Sequence, residues 1–332
     1  MEKTVTKEQV KALKPKMTPS EIFWDNIVWV LLIGAIVVMG IIEPVFFSTK
    51  ILLNIIVQGT ILGVITAAVA NVIVLGEIDL SQVGIMSITA AIGCTLITKT
   101  TCPWPIAVII MILIGTAFGW LNGILVAKLK AVSLITTLAM NTTLKGALQA
   151  ILQGRSIVGM SESFKFLGQG KIGQVPVLPV VLIIVFVLVH ILWKYTALGR
   201  SFFAVGGNAS CAFVSGINVD RVRIMAFTIS GLLGGLSGWL ISSYLGAVAQ
   251  SCGQQFEMNN IAAAVIGGVS LSGGRGKIFQ VLGGVLLLTV IQVGLQMLGI
   301  SSYYVDMANG LMIFAAVLID AVRNRVVAAR NA

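Results

Sequence analysis

Charge is scarce in this chain. Its 332 residues include 12 Asp and Glu and 22 Lys and Arg, 10% of the total, against about a quarter in an ordinary soluble domain. Most of the chain is therefore solvated by lipid rather than water. Histidine is rarer still. His190 is the single one, set inside an apolar run, where a packed helix position explains it better than a ligand role. Cys94, Cys102, Cys211 and Cys252 form no CxxC pair and no metal spacing, so neither a zinc site nor a disulfide framework is expected. No Ser-His-Asp, metal or haem constellation is present, so no catalytic residue and no bound cofactor is assigned to this chain.

Nucleotide motifs are missing too, although two stretches imitate them. Gly168-Gln169-Gly170-Lys171-Ile172-Gly173 fits GxGxxG but follows no strand. Gly273-Gly274-Arg275-Gly276-Lys277-Ile278 resembles a phosphate loop, yet Leu271 stands where its first glycine belongs and Ile278 replaces the Ser or Thr. If ATP drives this protein, the ATP and Mg are used by another chain.

What the sequence does have is hydrophobic length. Hydrophobic residues make up 57% and the mean hydropathy is +1.01. The runs are long and continuous rather than ten-residue alternations, which calls for helices and not a barrel. The pattern predicts an all-α polytopic membrane protein with about ten transmembrane helices, near 26–43, 51–75, 83–98, 104–127, 132–152, 175–193, 223–248, 259–271, 278–298 and 304–320. Eight is the rival count if a weak segment is re-entrant. A polar tail at 1–25, with no cleavable signal peptide, precedes a single permease-like domain at 26–322, and a short tail at 323–332 follows it.

Lys and Arg set the orientation. With the N-terminus inside, 16 of the 22 fall in inner loops or tails and six elsewhere. Both termini are therefore expected in the cytoplasm. The same distribution accounts for the net charge of +10 without a nucleic-acid partner. Small residues recur at four-residue spacing, at Gly115, Gly119 and Gly123, at Gly231 and Gly235, and at Gly234 and Gly238. Such faces let membrane helices approach closely.

Acids near membrane depth are costly and draw attention. Glu77, Asp79 and Ser81 lie at the end of the second crossing, Glu257 and Asn259 precede the eighth, and Asp306 opens the tenth. They are candidates for a pathway or gate, or for simple helix caps. The middles of most crossings lack charge, which fits a neutral substrate and weakens an ion-coupled secondary transporter. The polar loop 194–222 holds a further candidate. Asn208 can cap a short helix over 209–215 and Gly216 can stop it. Its small, nearly uncharged residues suit a groove on a partner better than lipid headgroups. Gly207, Asn208, Ser210, Ala212, Ser215 and Gly216 are the candidates for that contact.

These residues carry a resemblance. Gly76-x-Ile78-Asp79-Leu80-Ser81, Leu134-Ile135-Thr136-Thr137-Leu138-Ala139-Met140, Leu198-Gly199-Arg200, Ala204-Val205-Gly206-Gly207-Asn208 and Ser215-Gly216-Ile217-Asn218-Val219 stand in order. Glu257, Ile261-Ala262-Ala263, Ile266-Gly267-Gly268-Val269-Ser270-Leu271, Gly273-Gly274-x-Gly276-Lys277-Ile278 and Ser301-Ser302-Tyr303-Tyr304 follow. Together they resemble the ribose, arabinose and galactose permeases of bacterial binding-protein-dependent ABC importers. The resemblance implies a multi-pass inner-membrane protein that pairs with a second copy or a paralogue. It also implies cytoplasmic ATPase subunits, a periplasmic sugar-binding protein, and a coupling helix at about Gly207 to Gly216. Similar proteins carry nucleosides or a furanone signal, which stand as alternatives to a monosaccharide. Two departures concern local geometry. Gln82 is inserted after Ser81, which turns a following helix by about 100°, and Asn259 and Asn260 replace the family's Asp and Ala.

Overall fold

The computed structural model describes residues 26–100 and 102–301, then 303–305, 307–312, 314 and 318. Asp306 and both tails lie outside the described residues. Among the described residues, helices run α1 Ile27–Ile42, α2 Thr49–Ile73, α3 Gln82–Lys99, α4 Trp104–Ala127, α5 Ser133–Leu152, α6 Glu162–Gln169, α7 Leu178–Tyr195, α8 Ala197–Gly207, α9 Ala209–Val214, α10 Val219–Leu245, α11 Asn259–Ile266 and α12 Ile278–Met297. Helical residues recur at 303–305 and 307–312.

α2, α3, α4, α7, α10 and α12 are each long and apolar enough to cross a membrane, and α1 is a shorter apolar helix. α5 has 20 residues, but its threonines and Asn141 make it the least apolar, as its sequence predicts. α11 stops at Ile266 after eight residues, about 12 Å. The crossing expected at 259–271 is therefore not a self-standing span, because the chain turns at Gly268, where φ is +81°. The loop expected at 194–222 is mostly helical: α8, α9 and the first turn of α10 occupy it. Thr196 starts α8 by accepting from Gly199 N at 3.0 Å, and Phe202 and Val205 anchor it in the core.

α10 is the axis of the bundle. It packs along α4 and also touches α2, α3 and α6. Its glycines explain how. A Cβ on Gly235 would lie 2.6 Å from the Met111 carbonyl of α4, and one on Gly234 would lie 2.6 Å from the Gln82 Oε1 of α3. The two four-residue glycine spacings thus serve different neighbours on adjacent faces. Small residues let backbones meet where lipid supplies no hydrophobic drive for association.

α2, α3, α10 and α12 are mostly buried, whereas α4 and α7 bury about a third of their apolar spans. The outward faces of α1, α4 and α7 carry Ile33, Ile41, Ile109, Leu113, Ile183 and Leu188, all exposed, as lipid-facing surfaces require. His190 also lies on the outward face of α7, edge-on to Tyr195 with ring centroids 6.0 Å apart. It is not packed as its sequence context suggested. Between α5 and α7 the chain makes α6 and three short strands that enter two small antiparallel pairs. In the first, β1 (Ile157–Val158) pairs with β4 (Ala247–Val248) after α10, and in the second, β2 (Lys171–Ile172) pairs with β3 (Val175–Pro176). Nothing in the hydropathy of that loop announces these elements.

Candidate functional site

α2 ends at a break. Gly76 has φ +77°, and residues 77–80, which belong to no helix or strand, lead into α3. Neighbouring helices satisfy the freed backbone. Ile78 N donates to Ser133 Oγ at 3.3 Å and Leu80 N to Thr137 Oγ1 at 3.0 Å. Both acceptors lie on the buried stripe Ser133, Thr137, Asn141 of α5. Broken helices survive at membrane depth only when protein groups take up such bonds.

Asp79 sits in this break with a fully buried side chain. Its Oδ1 accepts from Ser81 N at 3.0 Å and Ser81 Oγ at 2.6 Å. Its Oδ2 accepts from Gln82 Nε2 at 2.7 Å and Ser230 Oγ at 3.0 Å. Gln82 Nε2 also reaches Ser230 Oγ at 2.8 Å, and Asn122 Nδ2 donates to Ser81 Oγ at 2.9 Å. The carboxylate thus ties the break to α3, α4 and α10. Four donors on one carboxylate offset part of its desolvation. The inserted Gln82 is a member of this network.

The other acids are paired. Glu77 Oε1 lies 3.0 Å from Arg223 Nε of α10, with both side chains mostly buried, though that nitrogen lacks hydrogen-bond alignment. Glu257 pairs with Lys145 and accepts from Asn141 Nδ2 at 2.9 Å, which fastens the loop before α11 to α5. Asn259 is buried and donates to the Gln255 carbonyl at 2.7 Å. Asp79, Ser81 and Gln82 therefore form one cluster, while Glu257 and Asn259 belong to another region of the bundle.

α9 is the short helix expected after Asn208. The Asn208 Oδ1 accepts from Cys211 N at 2.9 Å, an N-cap bond, and Gly216 stops the turn with φ +83°. Ser215 Oγ donates back to the Cys211 carbonyl at 2.9 Å. Ala212 is buried against the bundle, whereas Gly207, Asn208, Ser210, Ser215 and Gly216 are exposed. Phe213 and Val214 are 69% and 86% exposed. They line a cleft of about 690 Å³ together with Lys128, Lys130 and Asp220. Lys130 donates to Asp220 at 2.7 Å and Lys128 lies 3.5 Å from it. Phe213 and Val214 thus form an exposed apolar pair on a short capped helix, beside three charged side chains.

Behind α9 three backbones meet. Gly274 N donates to the Val74 carbonyl at 2.8 Å. A Cβ on Gly206 would strike that carbonyl and lie 2.6 Å from Gly274 N. Gly273 and Gly274, with φ +81° and +72°, bring the loop before α12 onto Gly206 and Gly207. The last residues of α8, two positions before α9, are thus locked against the end of α2, five residues before Asp79. The sequence identified Gly76, Gly206, Gly273 and Gly274 only as motif letters. Ser230, Asn122, Arg223, Phe213 and Val214 were missed. The Ser133, Thr137, Asn141 spacing was a readable signal of one buried polar face.

Residues 51–317 match the family described as branched-chain amino acid transport system / permease component. The ribose import permease protein RbsC of Haemophilus influenzae is 35% identical over 296 residues, covering 88% of this chain and 91% of its own. The D-allose transport system permease protein AlsC of Escherichia coli is 33% identical over 321 residues, covering 95% and 97%. The galactose/methyl galactoside import permease protein MglC of Salmonella typhimurium is 32% identical over 314 residues, covering 89% and 94%. No solved structure matches. With its apolar helices wrapped around a buried polar break, the chain belongs to this family of transport permeases and is a multi-pass protein of the bacterial inner membrane.

Proposed function

We propose that this chain is the permease subunit of a binding-protein-dependent ABC importer that moves a monosaccharide into the cytoplasm. The observation that carries the reading is α9, a capped six-residue helix with Phe213 and Val214 exposed beside Lys128, Lys130 and Asp220. It fits the groove of a separate ATPase subunit, and that subunit uses the ATP and Mg. The remaining partners are a periplasmic sugar-binding protein and a second copy of this chain or a paralogue. The relatives named for ribose, allose and galactose import support a simple sugar as cargo.

The connections support alternating access as the mechanism. A push on α9 passes through α8 to Gly206, then to Val74 and Gly274 and into the break that holds Asp79. Asp79 and Ser81 act as a latch there, and the Glu77–Arg223 and Glu257–Lys145 pairs hold the flanking elements. Such a motor must bias two states by several kcal/mol. A Ser210→Cys variant should crosslink to an ATPase subunit that co-purifies from native membranes. A chain that purifies alone under mild detergent contradicts the reading. The buried Asp79 is the feature that favours ion coupling instead, and uptake that needs an ion gradient but no ATP would move the assignment there.

A further inference from the structure

A second cleft, of about 680 Å³, opens among α2, α10, α12 and the loop after α10. Its position follows from helix geometry. Gln58 lies 15 residues before the end of α2 and Tyr244 lies 25 residues after the start of α10, about 22 Å and 37 Å at 1.5 Å per residue. The near ends of both helices stand beside α8 and α9, so the cleft faces the opposite side of the bundle. Thr289, Gln292 and Gln296 present one face of α12 to it.

The lining has a definite chemistry. Five amides converge: Gln58, Gln255, Gln292, Gln296 and Asn309. Among the described residues no charged side chain lines the cleft. Gln58 Nε2 donates to Asn54 Oδ1 at 3.3 Å, and Gln292 Nε2 reaches Asn309 Oδ1 at 3.5 Å. Each amide has two donors and two acceptor lone pairs, more than these long contacts use. Hydrocarbon cannot satisfy such groups, so the hollow is not a lipid seat. Tyr244 and Phe256 add aromatic surface. The volume falls within the range of about 300–1,000 Å³ for small-molecule sites. A solute that matches is neutral, carries several hydroxyls that both donate and accept, and has an apolar ring face for the aromatics.

We propose that this cleft is a solute subsite for a neutral, polyhydroxylated molecule of monosaccharide size, entered from the face opposite α9. Gln58 and Gln292 are its principal hydrogen-bonding residues. The inference rests on the importer reading for the direction of entry.

The test uses the full-length chain in right-side-out vesicles, with Cys102, Cys211 and the cleft-lining Cys252 replaced by Ser and Gln292→Cys introduced. A membrane-impermeant maleimide added outside should label this thiol, and D-ribose, D-allose or D-galactose should slow labelling several-fold while a charged solute of similar size does not. A thiol that stays unlabelled, whether buried or covered by a second copy, overturns the proposal. So does labelling that none of the three sugars slows. In the importer reconstituted with its ATPase, Gln292→Leu should lower kcat/KM for uptake about five-fold, the effect of one lost neutral hydrogen bond, with Gln292→Asn falling less. Unchanged kcat/KM also counts against the subsite. Loss of ATP dependence with sugar protection intact would instead strike the importer reading alone.

Discussion

The Asp79 network yields the sharpest energetic prediction. Asp79→Ala removes the acceptor of four hydrogen bonds. The Ser81 and Ser230 hydroxyls can rotate, and Gln82 Nε2 keeps its 2.8 Å contact with Ser230. Ser81 N cannot rotate, and an orphaned buried donor costs about 1–3 kcal/mol. Relief of the buried charge offsets part of the lost charge-assisted bonds, while the vacated volume adds a cavity term. The net expectation is a loss of about 2–4 kcal/mol, or roughly 3–6 °C in Tm for a chain of this size. Asp79→Asn behaves differently. Its Oδ1 still accepts from Ser81 N and Ser81 Oγ, Ser230 Oγ turns to accept from the new amide, and the Gln82 amide flips so that its Oε1 rather than its Nε2 faces that nitrogen. Its Tm should fall by no more than about 1 °C, and ATP-driven uptake should stay within about three-fold of the parent. Thermal unfolding in detergent, followed by tryptophan fluorescence, reads the first quantity and proteoliposome uptake the second. An Ala variant as stable as the parent would refute the latch. An Asn variant that folds but does not transport would show that the charge itself, not its hydrogen bonds, is used.

Three further outcomes follow from the contacts. Gly206→Val places a branched side chain against the Val74 carbonyl and Gly274 N, so ATP hydrolysis should persist in the assembled complex while uptake drops ten-fold or more. Phe213→Asp or Val214→Asp puts a carboxylate on the exposed tip of α9 and should abolish co-purification of the ATPase while leaving the variant's own Tm within about 2 °C, as exposed substitutions do. Gly235→Leu forces a side chain between α10 and the Met111 carbonyl of α4, and this overpacking should reduce the folded fraction in membranes sharply, as read by detergent-resistant monodisperse protein.

The sequence was most legible where punctuation is local. α4 begins and ends where Pro103, Pro105 and Lys128 bracket it, and α9 sits between its Asn208 cap and Gly216 as expected. α8 was illegible because only Phe202 and Val205 mark its buried face amid polar and small residues. α11 looked like a crossing because its apolar run continues to Leu271, yet two consecutive glycines let the chain turn after Ile266. Asp79 stood out as an acid in an apolar setting, but Ser230, which donates to it, and Asn122, which donates to Ser81, are 151 and 43 positions from it, beyond the reach of any local pattern. Gln82 read as an insertion that disturbs a helix. In the fold it is the first residue of α3 and a donor to Asp79, a role that only the approach of Ser230 discloses.

In the proposed function a separate ATPase drives this permease through α9. The most direct measurement is uptake of labelled D-ribose, D-allose and D-galactose by proteoliposomes holding the chain with its co-purified ATPase and binding protein. Uptake of at least one sugar should need ATP and binding protein and survive collapse of ion gradients. Equal uptake by the chain alone, without ATP, would contradict it.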